Sequence, residues 1–205
     1  MKLFLKIGDY LFCPLLTPLF GTLIYFLASP RFIPSSIVEA KLFAILILTV
    51  FIPLLFLFLL KNVKIITSIK VITAKERRLP LLGAALLLLT ITNFIVENNL
   101  AELYYFFTAL LLSVILTLTL SLFRYKISLH MLGIAALLGF VMGLSWLYKI
   151  NLLLLISGLV FAVGWTASSR IQAQQPSHVS LVLGLLIGFL PQVLFFVAAL
   201  IHYSI

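Results

Sequence analysis

The chain has 205 residues, of which 64% are apolar and only 9% charged, with a formal net charge of +9. That balance excludes an ordinary water-soluble domain, and the apolar runs lack the alternation of polar and apolar residues that a membrane β-barrel needs. What remains is an all-α fold, a polytopic transmembrane helical bundle, because in lipid each backbone N–H and C=O must bond within its own segment.

Apolar runs fall at about 11–29, 42–60, 80–96, 103–123, 129–148, 151–168 and 179–201. Most approach the ~20 residues that a helix needs to cross a ~30 Å hydrocarbon core. They predict six to seven spans. The first run separates the two counts, since Pro14 and Pro18 allow it to be a kinked or re-entrant entry helix. Met1 to Lys6 is basic, but no small-residue cleavage site follows, so no cleaved leader is expected. The connections are short and free of repeats, so residues 1–205 read as a single transmembrane domain. Cys13 is the only cysteine and cannot form an intramolecular disulfide.

Charges mark the ends of the runs. With seven spans, one face would carry Lys2, Lys6, Lys61, Lys64, Lys70, Lys75, Arg77, Arg78, Arg124, Lys126 and Arg170, against Arg31, Lys41 and Lys149 on the other. Eleven cations against three predict a cytoplasmic basic face. Gly139 with Gly143, and Gly184 with Gly188, form small-residue stripes suited to close helix packing within the bundle. Trp146, Tyr148, Tyr104 and Tyr105 near the span ends read as interfacial anchors. Asn93, deep in the third run, is expected to bond across helices. Pro53 and Pro191 are expected to kink theirs.

Three polar clusters fall on the basic face. They are Lys70-Val-Ile-Thr-Ala-Lys-Glu-Arg77-Arg78-Leu-Pro80, then Ser128-Leu-His130, then Ser169-Arg170 followed by His178. Loops alternate sides, so three even-numbered loops can converge at one mouth. Fixed cations, hydroxyls and two histidines suit a phosphate group, which Arg binds bidentately and Lys as a point charge. Imidazole can act as nucleophile or as general acid toward a leaving alkoxide. Asp9, Glu39, Glu76, Glu97 and Glu102 form no paired ligand set, so no metal site and no cofactor are expected. Ser128 and His130 also have a plainer reading, as a helix N-cap and an interfacial histidine.

In order and placement these clusters resemble the signature of the type 2 phosphatidic acid phosphatase superfamily, K-x6-R-P, P-S-G-H and S-R-x5-H-x3-D. Lys70 and Arg77 keep the first spacing, with Arg78 in place of the proline. Ser128 and His130 keep the S-x-H core of the second, and Ser169 and Arg170 begin the third. The likeness covers residues 60–190 and is closest to a divergent bacterial branch with an E-R-x-x-P first motif. Without gaps, the third motif's histidine falls on Pro176 and its aspartate on Ser180, and His178 comes two residues late.

The resemblance implies a metal-independent membrane phosphatase acting on a lipid phosphate or diphosphate in a bacterial inner membrane. In that reading Lys70, Arg77, Ser128, Ser169 and Arg170 cradle the phosphate, His178 attacks phosphorus, and His130 protonates the departing oxygen. Two alternatives stay open: a pseudo-phosphatase that binds lipid phosphates without hydrolysis, and a small transporter. The expected partners are membrane lipids and the lipid phosphate itself, not nucleic acid.

Overall fold

The computed structural model of the protein describes residues 12–67, 73–96, 100–174 and 177–203. Seven helices run through them: α1 Thr17–Ala28, α2 Ser35–Asn62, α3 Arg78–Ile95, α4 Ala101–Leu122, α5 Leu129–Tyr148, α6 Leu153–Gln174 and α7 His178–Tyr203. Helices α2 to α7 are six membrane-length apolar helices, and no sheet accompanies them among the described residues. The fold is the expected all-α polytopic bundle.

The first apolar run forms only the 12-residue α1, about 18 Å long at 1.5 Å per residue. Its prolines set its length. Pro14 lies in the turns before the helix and Pro18 in its first turn, where a missing N–H costs nothing. α1 is laid into the bundle by its small and polar face. Gly21 packs on the Phe106 ring, Thr17 on Gly133, and the Tyr25 hydroxyl donates to Glu102 Oε2 at 3.3 Å. Lys2 and Lys6, which weighed in the charge argument, lie outside the described residues.

α5 is the central post, buried along most of its length. The two glycine stripes face each other across α5 and α7. Gly139 meets Gln192 and Phe189, Gly143 meets the Phe196 ring, and Gly188 meets Leu132 O, so the stripes serve internal packing. Around them Phe106, Phe140 and Phe196 stack with ring centroids 4.3 and 5.7 Å apart, a closely packed aromatic core.

Irregular turns have local causes. The π-helical turn Ile47–Phe51 precedes Pro53 and relieves the clash that proline would make with the turn before it. Pro191 lies inside α7 and supplies no N–H to Ile187 O, four residues back. The Ser113 hydroxyl of α4 reaches that carbonyl at 2.7 Å. A second π turn, Ile91–Ile95, adds a residue to the end of α3, with Asn93 on its outer side. Asn93 is therefore exposed and donates to Leu89 O of its own helix at 2.8 Å, not across helices as expected. The interhelical amide is Gln192, fully buried, whose Nε2 donates to Phe106 O at 3.2 Å.

Candidate anion-binding site

The loops before α3, α5 and α7 meet at one end of the bundle. The first is shaped by Thr73-Ala-Lys-Glu76, a reciprocal capping box. Thr73 N–H donates to Glu76 Oε2 at 3.1 Å, and Glu76 N–H donates to Thr73 Oγ1 at 3.4 Å. Arg77 N–H then donates to Thr73 O at 3.1 Å, which winds the turn that presents the arginine. Pro80 falls in the first turn of α3, where proline is tolerated.

Arg77 reaches across to the second loop, donating from Nη1 to Ile127 O at 2.7 Å. That bond fixes the residue just before Ser128. Ser128 in turn is joined to the third segment, its N–H donating to Ser180 O at 3.2 Å. Gly184 permits this approach, since a Cβ there would stand 2.6 Å from Ser128 O.

Ser128 occupies the N-cap position of α5, but its side chain makes no capping bond. It is 8% exposed, and its Oγ has no partner among the described residues. The plain N-cap reading of its hydroxyl is therefore not the role it plays. Ser169 is buried on the inward stripe of α6 with Leu159, Ala162 and Thr166, and Arg170 follows it, half-buried. Thr166 Oγ1, one turn deeper, is likewise buried without a partner among the described residues.

The cations are close enough to act on one another. Burial, and then the charge of Arg170, push the Arg77 guanidinium down from its ordinary value. Burial, then Arg77, then Arg170, push the Lys126 ammonium down as well. Three positive groups thus repel one another at the mouth, where the Ser128 hydroxyl is buried without a partner among the described residues. Like charges so placed disfavour one another's charged forms, and an anion among them reverses that. In the sequence Lys126 is one of the eleven cations of the basic face. Its adjacency to Ile127, the residue Arg77 holds, is what brings it in.

The remaining expectations divide. His130 lies in the first turn of α5, half-buried and two residues past Ser128. His178 opens α7 and is exposed. It stands about 200° around the helix from Ser180, whose carbonyl meets Ser128. Lys70 and Pro176 lie outside the described residues. Among the described residues no three His, Cys, Asp or Glu side chains converge. No family model, curated protein or solved structure matches the chain.

Proposed function

We propose that this membrane protein binds the phosphate headgroup of a lipid phosphate or diphosphate at the mouth formed by Arg77, Lys126, Ser128, Ser169 and Arg170. The observation that carries the reading is the buried Ser128 hydroxyl, without a partner among the described residues, beside mutually repelling cations. A phosphate would accept from the hydroxyl, pair with the guanidinium groups and offset their repulsion. Lys70 joins this cradle in the reading that the sequence resemblance supports.

Hydrolysis through a phosphohistidine is the second reading. His130, in the first turn of α5 and two residues past Ser128, favours it as a general acid toward the leaving oxygen. The exposed position of His178 favours binding without turnover.

The experiment is phosphate release from a panel of lipid phosphates and diphosphates by detergent-purified protein in EDTA, paired with binding of the same lipids. Wild type is compared with Arg170→Gln, His130→Ala and His178→Ala. The binding reading expects Arg170-dependent binding with no release. Release lost in both histidine variants establishes the phosphatase reading with His178 as nucleophile. Lipid binding that Arg170→Gln leaves unchanged rejects both.

A further inference from the structure

A second basic feature lies on the outside of the same end, separate from the mouth. Arg77 and Arg78 are neighbours at the start of α3, and they point to different partners. Arg77 goes inward to Ile127 O. Arg78 goes sideways to the end of α4, where Nη2 donates to Leu122 O at 3.2 Å and Ser121 O at 3.3 Å. Below Arg78 an open groove of about 570 Å³ runs between α3 and α4. Its floor is Leu79, Leu82, Leu118 and Leu122, and its rim carries Lys75 and Arg78.

The residues that line this groove leave its rim net positive. Among the described residues no carboxylate lies within ion-pair distance of Lys75 or Arg78, and Arg78 Nε has no partner. Glu76 also lines the groove, and the bond it accepts from the Thr73 N–H holds its carboxyl below the usual carboxylate range, so two cations face one anion there. An apolar trough under a cationic rim, at the end of two membrane-length helices, has the polarity of one lipid molecule. The leucines match an acyl chain and the rim matches an anionic headgroup. Its volume lies in the range of sites that hold small molecules.

We infer that the groove between α3 and α4 is a binding site for an anionic glycerophospholipid of the surrounding bilayer, distinct from the mouth lined by Arg77 and Arg170. A neutral lipid would fill the same trough without meeting the rim. Selectivity for headgroup charge is therefore the property that separates a site from ordinary lipid contact.

Native mass spectrometry of delipidated full-length protein tests this, with phosphatidylglycerol and phosphatidylcholine of matched chains added in turn. Phosphatidylglycerol is expected to bind about tenfold more tightly at the first site. Leu82→Trp fills the trough and Lys75→Gln removes a rim charge; both positions are exposed, so the core is untouched. Each is expected to lower phosphatidylglycerol retention at least fivefold. Lys149→Gln at the far end and Arg170→Gln in the mouth are expected to leave it unchanged. Equal binding of the two lipids overturns the inference, as does retention that survives both groove variants. Retention lost in Arg170→Gln assigns the adduct to the mouth and also overturns it.

Discussion

Ser128 buries a hydroxyl that no described residue satisfies, and an unsatisfied buried hydroxyl costs a fold about 1–3 kcal/mol. Ser128→Ala is therefore expected to leave the melting temperature of the purified protein unchanged or to raise it. The same substitution is expected to weaken lipid-phosphate binding about tenfold, because a hydrogen bond to a charged group contributes about 1.5–3 kcal/mol. A structural serine would show the opposite pair of results, a lower melting temperature with binding intact. Lys126 gives a pH signature. Its folded pKa lies below the ordinary lysine value, so between the two the unfolded chain holds more protons and stability rises with pH. A bound phosphate favours the charged ammonium, so affinity falls across that same alkaline window. In Lys126→Met both slopes are expected to flatten, which melting and binding from pH 7 upward would check.

Among the helices, glycine is needed where a neighbouring backbone or ring comes close. A Cβ at Gly188 would press on the Leu132 carbonyl of α5, whereas Gly158 and Gly164 on α6 face open space. Gly188→Ala is expected to destabilise the bundle by about 1–3 kcal/mol through overpacking. Gly158→Ala and Gly164→Ala are expected to stabilise it by about 0.5–1 kcal/mol through helix propensity. Equal effects at the three sites in denaturation would refute the α5–α7 seam. The helices themselves were legible because charged residues punctuate the apolar runs, and α5 coincides with its run at both ends. Other features were less visible. A π turn follows from local carbonyl geometry, which hydropathy does not register, and the bond of Asn93 within its own helix is not readable from the apolar run. The capping box of Thr73 and Glu76 was present as a T-x-x-E signal, hidden within a cluster read for its cations.

Over the whole molecule, the two ends carry different chemistry. At the end opposite the mouth, Arg31 Nη2 pairs with Glu102 Oε1 at 2.8 Å, and Lys41 Nζ donates to Ile95 O at 2.7 Å. Glu102 is 1% exposed and Arg31 40%, so the partner that solvent reaches holds the one that it does not. Arg31→Met removes the charge partner of the carboxylate, leaves it the Tyr25 hydroxyl, and is expected to lower stability by about 1–3 kcal/mol, below the full figure for a buried pair because Arg31 is partly solvated. The 20 residues of α5 hold this end about 30 Å from Ser128, so lipid-phosphate binding is expected to be unchanged. Alternation of the spans made the meeting of the three loops readable from sequence. The rotation of His178 was not, because it depends on where α7 begins. Nor was the part played by Lys126, which depends on a bond from Arg77 to the next residue's carbonyl.

The most direct measurement is a titration of purified protein in neutral detergent with dioctanoyl phosphatidic acid, followed by ³¹P NMR, beside Arg77→Gln and Arg170→Gln. An anion site at the mouth predicts saturable binding by wild type, weakened at least tenfold in each variant while the melting temperature holds within a few degrees. Equal affinity in all three proteins would contradict it.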